Sequence, residues 1–172
     1  NNTGVTQLDC SNTSISLTAT GGVSYSWSDG VTTTLGASLL VNAAGTYTVT
    51  ATAANGCIDT EVLTLTKDIS VPTAGITNNT GVTQIDCTNP SISLTATGGV
   101  SYSWSDGVTT TLGASLLVNA AGNYTVTATA ANGCTDTETL TVTVNEVPSD
   151  FIVTSGSTTF CQGGEVSLTA QA

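Results

Sequence analysis

Hydrophobic and polar residues alternate one by one along most of this chain. Tyr47, Val49, Ala51 and Ala53 are interleaved with Thr46, Thr48, Thr50 and Thr52, a period of two that sends one set of side chains inward and the other to water. Gly45 to Ala53 therefore reads as a half-buried strand, and Asn55-Gly56 behind it as a turn that leads to Cys57. The same alternation predicts a strand over 14–20 with Ile15, Leu17 and Ala19 inward, stopped by Gly21-Gly22. Val23, Tyr25 and Trp27 then alternate with serines up to the Asp29-Gly30 turn, which puts the Trp27 indole mid-strand facing the core. Residues 32–35 and 38–41 form weaker strands, and the inward set of the second is either Leu39 with Val41 or Leu40 alone. Val5 to Leu8 is a short extended segment ending at Asp9-Cys10, and Leu63 and Leu65 point inward on the last strand. No stretch carries a helical period, so the chain is predicted to be all-β.

The pattern is then read a second time. Residues 78–144 repeat residues 1–67 at an offset of 77, with eight differences in 67 positions. Exposed positions match as well as buried ones, so the unit is a module in an array. Trp104 and Tyr124 stand where Trp27 and Tyr47 stand in the first copy, and Leu140, Val142 and Val144 alternate with threonines. Val71-Pro72 precedes the second copy, and Val147-Pro148 occupies the equivalent place further on. Proline has a fixed φ and no donor, which suits a linker entering an edge strand. Cys161 lies seven residues before Leu168, as Cys10 does before Leu17. The expected division is residues 1–68 as one module without its leading strand, 69–146 as a second, and 147–172 as the opening of a third.

Composition narrows the function. There is no His, no Arg and a single Lys, Lys67, against twelve acidic residues, for a net charge of −11. Nucleic acid and anionic lipid surfaces are bound chiefly through Lys and Arg, so neither is an expected partner. No run approaches the roughly 18 apolar residues of a membrane helix, and no signal segment opens the sequence, so any such signal is expected upstream of Asn1. The five cysteines are Cys10, Cys57, Cys87, Cys134 and Cys161, without CxxC pairs or histidines for zinc. A spacing of 47 occurs twice, which suggests bridges Cys10–Cys57 and Cys87–Cys134 within modules and leaves Cys161 unpaired. The alternative is five reduced, buried thiols. Bridges imply an oxidising, extracellular setting.

Short Thr- and Val-rich strands at regular spacing describe a β-sandwich. The order of cysteine, strand, Trp strand, two weak strands and Gly-x-Tyr strand resembles the immunoglobulin fold. In that family a Tyr placed like Tyr47 in Gly45-x-Tyr47, or Tyr124 in Gly122-x-Tyr124, forms a corner leading into its strand. The positions of the family's inter-sheet cysteines fall at Ala19 and Val49, a departure that puts the bridge at the strand ends. With Gly-Gly-Val-Ser-Tyr-Ser-Trp-Ser-Asp-Gly and Ala-Asn-Gly-Cys in both copies, the modules also resemble SprB-type repeats of Bacteroidota gliding adhesins. That resemblance implies export to the bacterial cell surface by the type IX route and service as a stalk or filament segment, with neighbouring repeats as partners.

Candidate sites are few. Asp59 and Glu61, with Asp136 and Glu138 in the second copy, lie two apart on one strand face and with Asp29, Asp106 or Asp9 offer oxygen ligands for calcium. A solvated acidic rim explains the same residues, and nothing marks either carboxyl as a catalytic acid, so no cofactor and no catalytic residue is expected. Asn1, Asn12, Asn78 and Asn123 fit N-x-[ST] but read equally as surface asparagines. Exposed strand faces lined with Thr and Ser offer a carbohydrate-binding alternative with surface glycans as partners, and solvent-facing Trp27 and Trp104 would place it ahead of the stalk. Self-assembly is the third reading, with Val147 to Ala170 of one molecule lending a strand to the first module of another.

Overall fold

The computed structural model describes residues 4–145, 151–155 and 167–171. The first module forms β1 (Gln7–Leu8), β2 (Ile15–Thr18), β3 (Ser24–Ser28), β4 (Thr33–Leu35), β5 (Ser38–Val41), β6 (Gly45–Thr52) and β7 (Ile58–Lys67). One sheet runs β4-β3-β6-β7-β1 and a second pairs β2 with β5. The second module contributes β8 (Gly75–Asn78), β9 (Gln84–Ile85), β10 (Ile92–Thr97), β11 (Ser101–Ser105), β12 (Thr110–Leu112), β13 (Ser115–Val118), β14 (Gly122–Thr129) and β15 (Thr135–Val144). Its sheets run β12-β11-β14-β15-β9 and β13-β10-β8. Pairing within both modules is antiparallel except at β1 on β7 and β9 on β15, which are parallel. These are immunoglobulin-like sandwiches in tandem.

Each sandwich closes on its aromatic residues. Trp27 is 5% exposed and Trp104 1%, and their indole N–H groups donate to the carbonyls of Gly36 and Gly113 at 3.0 and 3.1 Å. A buried indole needs such a partner. The Tyr47 and Tyr124 hydroxyls donate back to Ala43 and Ala120 carbonyls at 2.9 Å, the tyrosine corner that turns the chain into β6 and β14. On β5, Val41 is buried and Leu39 half-buried while Leu40 is 71% exposed, which selects the first of the two inward sets. Val23 and its counterpart Val100 do not turn inward, because they precede β3 and β11 and sit on the rim. Val144, at the end of β15, likewise runs past the core.

The copies differ in closure. Val126, Ala128 and Ala96 are buried, whereas their counterparts Val49, Ala51 and Ala19 are only partly so. In the second module β8 pairs with β10 and Ile76 packs on the core. Among the described residues no strand takes that place beside β2, and a groove of about 310 Å³ opens there over Leu17, Ala19, Trp27, Val49 and Ala51. Further along, β16 (Phe151–Ser155) pairs with β17 (Ser167–Gln171), placing Ile152 opposite Ala170 as Ile76 is placed opposite Ala96. Cys161 lies outside the described residues.

The bridges expected within modules do not form. Cys10 is bonded to Cys134, across the module boundary, while Cys57 and Cys87 are free and exposed. The parallel β1–β7 pairing is the reason. Leu8 lies opposite Lys67, so Cys10 sits at the trailing end of module one, whereas Cys57 precedes Ile58 at the leading end. A ten-residue strand separates those ends by roughly 33 Å, and a disulfide needs Cα atoms within about 7 Å. The β9–β15 pairing, with Ile85 opposite Val144, parts Cys87 from Cys134 in the same way.

Candidate functional site

The place where the two modules meet is the most constructed feature outside the two cores. From module one comes a hook, Asp9-Cys10-Ser11-Asn12. The Asp9 carboxylate accepts from the N–H groups of Ser11 and Asn12 at 2.9 and 2.6 Å, and the Asp9 N–H donates to the Asn12 carbonyl at 3.1 Å. Aspartate is suited to such a turn because its side chain mimics a backbone acceptor. From module two comes the hairpin tip Ala130–Cys134, closed by Ala130 N–H to the Cys134 carbonyl at 2.8 Å and Gly133 N–H to the Ala130 carbonyl at 3.0 Å.

Hook and hairpin are joined by one covalent bond and one hydrogen bond. The Cys10–Cys134 disulfide holds the Cα atoms 5.0 Å apart, and Cys134 is 2% exposed. Beside it the Cys10 N–H donates to the Asn132 carbonyl at 3.1 Å. Gly133 has φ +76°, and a Cβ there would collide with Ser11 Oγ, so only glycine permits both the turn and the close approach.

The linker between the modules is fastened to the same hairpin. Asn132 accepts from Cys134 N–H at 3.0 Å through Oδ1, and its Nδ2 donates to the Ser70 carbonyl at 2.9 Å and to Asp68 at 3.5 Å. The Asp136 carboxylate accepts from Ala74 N–H at 2.9 Å, and Ala74 is buried. Thr73 presents its carbonyl to Gly98, which at φ +93° leaves no room for a side chain. Asp68 accepts from the Ser70 hydroxyl and N–H at 2.6 and 3.0 Å; these bonds, the hydroxyl first, hold its carboxyl below the usual carboxylate range. The linker is thus held to module two at Asp68, Ser70, Thr73 and Ala74.

The acidic residues proposed for calcium are dispersed. Asp29 and Asp106 cap their own turns: Asp29 accepts from Thr32 and Val31 N–H at 2.6 and 2.9 Å, and Asp106 from Thr109 and Val108 with the same distances. Those bonds, the Thr32 and Thr109 ones foremost, lower both carboxyls below the ordinary value. Asp136 is engaged at the joint, Asp59 accepts from the N–H of Thr60, and Glu61 and Glu138 are exposed on β7 and β15. Among the described residues no three acidic or sulfur groups converge. Sequence alone does not mark Asn132 and Asp136 as linker clamps, since the same residues recur in the first copy as Asn55 and Asp59.

Fold and joint together define a class: immunoglobulin-like modules in tandem, locked end to end by a disulfide. No family model matches the chain, and no curated protein does. Among solved structures it is similar to the amphioxus IgVJ-C2 molecule, at 18% identity and a TM-score of 0.38, over 76% of this chain and 96% of that one. The immunoglobulin-like assignment here rests on the strand order and registers described above.

Proposed function

We propose that this chain is a non-catalytic spacer segment of a secreted bacterial surface adhesin or filament, in which each module is locked to the next. The observation that carries this reading is the Cys10–Cys134 bond. It presupposes an oxidising compartment, in keeping with an extracellular location, and among the described residues no helix is long and apolar enough to cross a membrane.

The bond also redirects load. Cys10 marks the trailing end of module one, and β15, which starts next to Cys134, runs the length of module two. A pull on the chain ends passes through the sulfurs and along β15, bypassing residues 11–133. A stalk needs this property, since unfolding a module would not lengthen it. Small-angle scattering of the oxidised chain should fit one rigid, elongated body; a distribution typical of two independently tumbling modules overturns the reading.

Glycan binding has less support, because Trp27 and Trp104, the rings a sugar would stack on, are buried. Strand donation has one observation in its favour, the groove over Leu17, Ala19 and Val49 where module two carries β8. A peptide with the sequence of Val71 to Asn78 tests it: saturable binding and a raised melting temperature support donation, and no binding removes it.

A further inference from the structure

The joint has two complementary halves, and among the described residues the chain displays one more of each. Cys57 is the counterpart of Cys134, and Cys87 of Cys10, under the repeat offset of 77. Both free halves already have the geometry of the bonded ones. At the leading end Ala53 N–H donates to the Cys57 carbonyl at 2.8 Å, Gly56 N–H to Ala53 at 2.9 Å, and Cys57 N–H to Asn55 Oδ1 at 3.0 Å. The bonded hairpin shows 2.8, 3.0 and 3.0 Å for the same contacts. At the trailing end the Asp86 carboxylate accepts from Thr88 and Asn89 at 2.8 and 2.7 Å, and Asp86 N–H reaches the Asn89 carbonyl at 3.1 Å, as in the Asp9 hook.

What differs is occupancy. Gly133 faces Ser11 and Gly98 faces Thr73, but Gly56 and Gly21, at φ +83° and +91°, have nothing within 4 Å. Cys134 is buried and Cys57 exposed. Neither half was shaped by its partner, so the two surfaces are preorganised for one another.

We propose that Cys57 and Cys87 are complementary halves of a repeating covalent joint, and that the Cys87 hook of one copy of this chain bonds the Cys57 hairpin of another. The reading extends the joint on which the proposed function rests. Copies would assemble head to tail, the Cys87 hook of one bonded to the Cys57 hairpin of the next, a heterologous contact that does not close on itself. Bond formation consumes a small-molecule disulfide such as oxidised glutathione: the two protein thiols lose two electrons and two protons, and the reagent leaves as two thiols.

The test uses full-length chains with Cys161→Ser, mixing differently tagged Cys57→Ser and Cys87→Ser variants and oxidising them with glutathione disulfide. Each variant retains one half, so the proposal expects cross-variant dimers well above the half that random pairing gives, with peptide mapping locating a Cys87–Cys57 bond. The parent chain should give a ladder under the same conditions. A statistical mixture of dimers, symmetric Cys57–Cys57 or Cys87–Cys87 bonds in the parent, or monomers alone would overturn it. Mapping Cys10–Cys134 in every sample separates this failure from failure of the stalk reading, which would show as loss of that bond.

Discussion

Reduction of a single bond should change how far this chain can be pulled. Cys10 and Cys134 are 124 residues apart in sequence, and an extended chain spans at most about 3.3–3.6 Å per residue, so the bond withholds roughly 430 Å of contour. Optical-tweezer traces with handles at the two chain ends should therefore reach a final extension roughly 430 Å greater with reductant than without. Cys134→Ser should behave as the reduced chain does under both conditions. The measurement also discriminates between pairings. Two loops of 47 residues, the bridges that cysteine spacing suggested, would withhold only roughly 330 Å. Equal final extensions, or a difference near the smaller figure, would refute the load path. Closing so long a loop also disfavours the unfolded chain by about 5 kcal/mol in the chain-entropy view, so the reduced protein should unfold at lower denaturant.

Three further outcomes follow from the joint and the cores. Gly133→Ala places a side chain against Ser11 at positive φ and should lower the rate and yield of Cys10–Cys134 formation on refolding, while Gly56→Ala, with open space around it, leaves that bond intact; peptide mapping decides. Tyr124→Phe removes the hydroxyl bond to Ala120 and should cost about 1 kcal/mol in urea unfolding. Because the carboxyls of Asp29, Asp86 and Asp106 are held below their ordinary value in the folded chain, their contribution is present above about pH 4 and is lost as pH falls through the lowered values. Thermal melts should thus show stability falling on acidification, and Asp106→Ala should shrink that fall.

The module itself was legible residue by residue. Alternation of Tyr47, Val49 and Ala51 with threonines specifies a strand with one wet face whatever surrounds it, because side chains on a strand alternate by geometry. Gly45-x-Tyr47 marked the corner, and Trp27 flanked by serines marked a buried ring. The weak strand at Ser38–Val41 was ambiguous, since adjacent leucines fit either face, and pairing of Leu39 with Leu17 decided it. That Asp29 caps its own turn and Asp136 clamps the linker was not legible in the sequence, because neighbours along the chain need not be neighbours in space.

The cysteine pairing lay beyond the sequence because two equal spacings of 47 are compatible with bonds inside modules or between them. Which one forms depends on the ends of the sandwich where the sulfurs emerge. Parallel pairing of Gln7–Leu8 with Thr66–Lys67 sends Cys10 to the trailing end, and the hairpin before Thr135 holds Cys134 at the leading end of the next module. Local patterning determined the strands, their faces and the repeat, since these depend on chain geometry and near neighbours alone. Only the tertiary arrangement decided that the sulfurs join modules rather than staple them, since a strand's length separates the two cysteines of each copy.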